Sequence, residues 1–246
     1  MPRLYLSPSL QEFNLYAGGG NEEYYMNLLA DEMEPYLISS GITYLRSDPA
    51  TQELQDVIRQ SNASDIDLHL ALHSNAAGEG KEGQVRGVEV YYDPNDAFSR
   101  KAAELLAEEM RQIYPLPSEI RILPTTKLAE VVRTDMPAVL LEVAYHDNWE
   151  DAQWIRDNLG NIAQAVVKGV CAYFGVPFVP PQPLRIGTVH TGGANLNLRR
   201  FPSTEAQVLV QIPNNSKLLV YSQIGNGWSV VGFGGFTGYA KSEYII

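Results

Sequence analysis

The chain of 246 residues is poor in cysteine, in histidine and in positive charge. One cysteine, Cys171, rules out an intrachain disulfide framework and leaves the redox compartment open. Lys and Arg number 18 against 29 Asp and Glu, a formal charge of −11. A nucleic-acid binder needs a basic face to neutralise phosphates, and an anionic membrane surface is held by a polybasic patch. Neither fits this balance, so no nucleic-acid partner is expected. No apolar run approaches the ~18–20 residues of a membrane span, so no membrane insertion is expected either. The N-terminal Met1-Pro2-Arg3-Leu4-Tyr5-Leu6 reads as a strand and lacks the apolar stretch of a signal peptide. A protein acting outside the cell would then leave by another route or follow a removed leader. What is present is ordinary globular material, 45% hydrophobic and 19% charged.

The clearest break in texture is Phe174-Gly175-Val176-Pro177-Phe178-Val179-Pro180-Pro181-Gln182-Pro183. Its prolines fix φ and remove donors, so the stretch reads as a semi-rigid linker at 176–186. Upstream, over 1–175, strands and helices alternate. Strands are expected at 3–6, 42–46, 65–73, 88–92 and 138–143. Helices are expected at 22–40 (with Gly41 as the stop), 51–60, 97–114 and 149–173. This order predicts an α/β layer fold with a mostly parallel twisted sheet and helices on both faces. Downstream, over 187–246, short β-like runs at 208–212, 217–221, 228–231 and 237–240 predict a small all-β barrel. The glycines of Gly232-Phe-Gly-Gly-Phe-Thr-Gly238 suit a tight hairpin better than a phosphate loop, because no helix follows.

Three positions could carry chemistry. His73 ends the run Leu68-His69-Leu70-Ala71-Leu72-His73, at the strand end where α/β sheets place ligands. A ligand role and a plain hydrogen-bonded histidine are both open there. His69 and His73 would lie about 13 Å apart along a strand rising ~3.3 Å per residue, so they cannot share one metal. Glu142 follows four apolar residues in Pro137-Ala-Val-Leu-Leu-Glu142, and burial would raise its pKa toward a general base's range. A structural ion pair, for instance to Arg133, is the other explanation. Glu22 and Glu23 open the first long helix, where its dipole favours acids, and only one of them need face the strand ends. His146 is expected to orient or to lie at the surface, His190 to be exposed, and Cys171 to pack. Glu23, His73 and Glu142 at comparable ends of neighbouring elements would make the imidazole-and-carboxylate set of a catalytic zinc site.

On these residues the chain resembles the zinc-dependent N-acetylmuramoyl-L-alanine amidases of the amidase-3 type. Glu23-Tyr-Tyr-Met-Asn27 resembles that family's Glu-x-x-x-Asn helix start, and Leu72-His73-Ser74-Asn75-Ala76 its strand-end motif. Pro137-Ala-Val-Leu-Leu-Glu142, with Asn148 following, is similar to its Pro-Ala-Val-Leu-x-Glu signature. The resemblance implies that Glu23 and His73 bind zinc and that Glu142 is the catalytic carboxylate. It implies cleavage of the amide joining N-acetylmuramic acid to L-alanine in peptidoglycan, at an extracellular or cell-wall-associated site.

Residues 187–246 resemble a bacterial SH3 domain through Leu196-Asn-Leu-Arg199, Pro202-Ser-Thr204, Gly227-Trp228 and Gly238-Tyr-Ala240. Trp228, Phe233, Phe236 and Tyr239 would supply its wall contacts. One departure stands out. The family's first zinc ligand is a histidine after the first strand, and here none precedes His69. Leu10 falls at that place, with Gln11 and Glu12 beside it as candidate ligands weaker than imidazole. An active metal-dependent amidase is therefore weighed against a non-catalytic wall-binding scaffold with a degenerate site.

Overall fold

The computed structural model describes residues 1–48 and 53–246; Thr51 and Gln52 of the expected second helix lie outside the described residues. In chain order the larger part carries β1 (Arg3–Pro8), α1 (Glu22–Ser39), β2 (Thr43–Arg46), α2 (Leu54–Asn62), β3 (Leu68–Asn75) and β4 (Val88–Tyr92). It continues with α3 (Ala97–Arg111), β5 (Ile120–Pro124), α4 (Ala129–Val132), β6 (Ala138–Tyr145) and α5 (Trp149–Phe174). Then follow β7 (Arg185–Thr188), β8 (Leu196–Arg199), β9 (Val208–Ile212), β10 (Lys217–Ile224), β11 (Trp228–Phe233) and β12 (Phe236–Lys241). Two compact units result. One comprises Arg3–Met33 and Tyr44–Tyr173, the other Met1–Pro2, Glu34–Thr43 and Phe174–Ile246.

The larger unit is built on a six-stranded sheet of order β2-β1-β3-β6-β4-β5. β1 and β3, β3 and β6, and β4 and β5 pair in parallel, as the alternation of elements predicts. The junction of β4 with β6 is antiparallel. A parallel return needs a crossover, normally helical, and the segment joining β3 to β4 contains no helix. β3 is the buried centre. Leu68, Leu70 and Leu72 occupy one face with no exposed surface, while His69, Ala71 and His73 alternate onto the other. α2 and α4 cover that second face, α2 through a contact of Ser61 with His69 and α4 through Val131 packed with Ala71 and Leu140. β5 and α4 were not expected from sequence; a single helical turn is too short to display a period.

In the smaller unit an antiparallel sheet of order β7-β10-β11-β12-β8-β9 encloses Val189, Leu196, Leu198, Ile212, Leu218, Val220, Val231, Ala240 and Ile245. Its aromatics differ from the expected wall-facing set. Trp228 and Tyr239 are buried and Phe233 packs on the core, leaving Phe236 of the four exposed. The expected linker is also partly packed. Val176 and Val179 are buried, Phe178 stacks on Tyr36, and the Val179 amide donates to Ser40 Oγ at 2.9 Å. Proline removes its own donor, but the intervening amides still require partners.

Gly41 ends α1 with φ +75°, and a Cβ there would run into the Tyr239 ring. The Tyr239 hydroxyl donates to the Ser40 and Gly41 carbonyls at 2.9 and 3.1 Å. Gly41→Ala is therefore expected to destabilise by at least about 1 kcal/mol, through left-handed strain plus displacement of Tyr239. Thermal denaturation of the variant checks this; an unchanged midpoint would refute it.

Candidate active site

Four strands of the larger unit each place one residue in a single row. His73 of β3 pairs with Glu142 of β6, Glu142 with Glu89 of β4, and Glu89 with Arg121 of β5. Residues directly opposite one another on paired strands share a face of the sheet. The row therefore brings an imidazole, two carboxylates and a guanidinium to one side.

Glu89 is well supplied. Arg121 approaches it at 2.9 Å, while Asn75 Nδ2 and the hydroxyls of Tyr91 and Tyr145 donate to it at 2.8, 2.6 and 3.1 Å. Glu142 is not. Its Oε2 is buried with no hydrogen-bond partner, and among the described residues no ion pair joins it to Arg133. Burial pushes its carboxyl up, His73 pulls it back, and the charges of Glu22 and Glu89 push it up again, to about 7.

Around His73 three elements converge. Its Nδ1 lies 2.8 Å from Glu22 Oε1 and 3.2 Å from Gln11 Nε2. Its Nε2 lies 3.5 Å from Glu130 Oε1. Burial opposes the charged imidazole, but the contacts with Glu130 and Glu22 prevail and push its pKa up to about 10. Burial likewise opposes ionisation of Glu22, yet His73 and Asn14 hold it below the usual carboxylate range. Asn14 ties the cluster together: its Nδ2 donates to Gln11 Oε1 at 2.9 Å and to Glu22 Oε2 at 2.6 Å.

The structure thus brings His73, Glu142 and Gln11 together, and it adds Glu22 rather than Glu23. Glu23 faces a surface groove lined by Asn21, Tyr24, Asn27, Leu28 and Asp31. Successive helical residues point about 100° apart, so only one of two adjacent acids can reach the strand ends. The signal was in the sequence: Glu22 is in phase with the buried Met26, Leu29 and Met33, and Glu23 is not. Glu12 lies exposed on the turn after β1, and among the described contacts none joins it to His73. His146 is buried rather than at the surface, with Nδ1 2.7 Å from the Ser74 carbonyl and 4.0 Å from Glu22 Oε2. His190 is exposed and Cys171 buried. Glu130 was missed altogether. Its signal was the pair His69 and His73 on one face of a buried strand, two imidazoles that both require a partner.

Whether these residues suit a divalent cation can be judged from the donors. Among the described residues no three His, Cys, Asp or Glu side chains are grouped to hold a metal. The set is one imidazole, one carboxylate and one amide, with a further carboxylate, Glu142, left without a partner beside them. His73 and Glu22 are zinc donors and the surplus of buried carboxylates favours a cation; Gln11 turns its Nε2 to His73 and its Oε1, a weaker donor, to Asn14, so its amide would have to turn over to face a cation. The set fits, with one weak position.

Residues 13–172 match the family model described as N-acetylmuramoyl-L-alanine amidase, and residues 194–246 match that of the bacterial SH3 domain. The chain belongs to the N-acetylmuramoyl-L-alanine amidase family and is a peptidoglycan amidase carrying a bacterial SH3 domain.

Among solved structures, the fold is similar to an N-acetylmuramoyl-L-alanine amidase from Clostridium difficile 630, with TM-score 0.63, 17% identity, and coverage of 71% of this chain and 97% of that one. It is similar to AmiC2 of Nostoc punctiforme, with TM-score 0.61, 18% identity, and coverage of 71% and 97%. The catalytic domain of CwlV from Bacillus (Paenibacillus) polymyxa var. colistinus gives TM-score 0.58 and 20% identity, with coverage of 72% and 100%. A search of the curated proteins found no match.

A carboxyl raised from 4.5 to about 7 costs folding stability once it ionises. That cost is absent below about pH 4.5, grows as pH rises toward 7, and is complete above it. In metal-free protein, Glu142→Gln should therefore be more stable than wild type at pH 8, by on the order of 3 kcal/mol at most. The gap should close near pH 4.5. Thermal melts of both proteins across this range check it; a pH-independent difference would refute the assignment.

Proposed function

We propose that this amidase cleaves the amide between N-acetylmuramic acid and L-alanine with a zinc ion held by His73, Glu22 and Gln11, and with Glu142 as general base. The observation that carries the reading is the buried, unpartnered Oε2 of Glu142 in the same row as His73. When bound, zinc would supply Lewis acidity to the scissile carbonyl and acidify a water.

The chain's own residues do the remaining work. Glu142 takes the proton from the attacking water and returns it to the leaving L-alanine nitrogen, a task suited to a carboxyl near 7. Arg121 neutralises Glu89, which limits the like charge felt by Glu142 when it ionises. Asn14 fixes Gln11 and Glu22 relative to one another. The amide at Gln11 makes this a weaker zinc site than one with imidazole there. The SH3 portion attaches the enzyme to the wall by local contacts, because a net charge of −11 would be repelled by anionic wall polymers. The site of action is extracellular or wall-associated.

Elemental analysis of purified protein tests the ligand set. One zinc per chain is expected in wild type and in Glu23→Ala, and loss of it in His73→Ala and Glu22→Ala. Gln11→His should bind zinc more tightly. Glu142→Gln should keep the metal and lose roughly 10²–10⁴-fold in muropeptide hydrolysis. Wild type that takes up no zinc on incubation, yet binds peptidoglycan, would replace this reading by the wall-binding scaffold.

A further inference from the structure

Glu130 takes no part in the scheme above, yet it lies directly behind His73. It sits on α4 and is buried. Its Oε2 accepts from Ser7 Oγ at 2.6 Å and lies 2.9 Å from His69 Nε2. Its Oε1 lies 3.5 Å from His73 Nε2. The other nitrogen of His69 is engaged by Ser61 Oγ at 3.0 Å. The two histidines cannot share a metal along the strand, but they share this carboxylate. Both point to the face that α4 covers, with the small Ala71 between them.

An imidazole offers a lone pair from one nitrogen only when the other carries the proton. In His73, Nδ1 faces Glu22 at 2.8 Å and Gln11 at 3.2 Å, so with a cation held on that side Nδ1 gives up the proton it otherwise donates to Glu22, and the ring's remaining proton resides on Nε2. We propose that Glu130 positions His73: it accepts the Nε2 hydrogen bond and thereby reserves Nδ1 for the cation side of the ring. This rests on the reading of His73 as a cation ligand. Ser7 and His69 in turn hold Glu130 as a carboxylate pointing at the ring. The competing account makes Glu130 a structural bridge that only pins α4 to β3 through His69.

Two measurements separate these accounts. The first needs no variant: in zinc-loaded, ¹⁵N-labelled protein, long-range proton–nitrogen spectra should show His73 protonated at Nε2 and metal-shifted at Nδ1. The reverse assignment would overturn the proposal, including in the event that Glu130 variants fail to fold. The second is zinc affinity by competition with a chromophoric chelator. Glu130→Gln should weaken it tenfold or more. His69→Gln should lower the melting temperature and weaken affinity less than Glu130→Gln does, because Ser7 still holds the carboxylate. Unchanged affinity in Glu130→Gln, with only stability lost, would make Glu130 a structural bridge. If wild type binds no zinc, the ligand reading fails and the positioning role falls with it, an outcome distinct from zinc binding that Glu130→Gln leaves unchanged.

Discussion

The site depends on an imbalance: carboxylates outnumber the cations that could satisfy them inside a folded sheet. Glu89 has Arg121, Glu130 has two histidines and a serine, and Glu22 has His73 and Asn14. Glu142 stands in register between His73 and Glu89 and keeps an oxygen with nothing to bond. An unpartnered buried acid is costly, and folds retain one where it performs a task. The hydrogen bonds go to its neighbours and leave this one oxygen unsatisfied.

The fold explains how so many polar groups can be tolerated there. The β4–β6 junction is the antiparallel one, and it brings Glu89 across from Glu142 and, through β5, Arg121 next to Glu89. On the other side, α4 spans barely one turn, yet it delivers a carboxylate between two histidines of the central strand. Short elements with weak sequence signatures thus carry much of the electrostatic organisation.

That division decides what could be read in advance. The alternation of apolar runs discloses the long helices, the central strands and the β-rich C-terminal part, because burial writes its period into composition. His73 and Glu142 stand out as polar residues ending apolar strands. Glu22 and Glu23 could not be told apart by motif matching, since both open the helix; phase against Met26, Leu29 and Met33 separates them. Glu130 and Arg121 lack a local signature, because their significance arises from strand neighbours distant in sequence. Gln11 was visible only as a missing histidine, and its approach to His73 depends on a loop shaped by Asn14. Trp228 and Tyr239 illustrate the converse: aromatic residues in a small β unit are recruited to its interior before they are available to a ligand.

The packed proline stretch has a consequence for the life of the protein. A protease needs several residues it can draw out into an extended strand, and linkers between modules are the customary place to find them. Here Val176 and Val179 are buried, Phe178 is stacked, and the Val179 amide is bonded. Clipping at this seam would require local unfolding first. Cleavage between the two units is therefore expected beyond the packed stretch, at the exposed residues 180–186, where Leu184 and Ile186 face solvent.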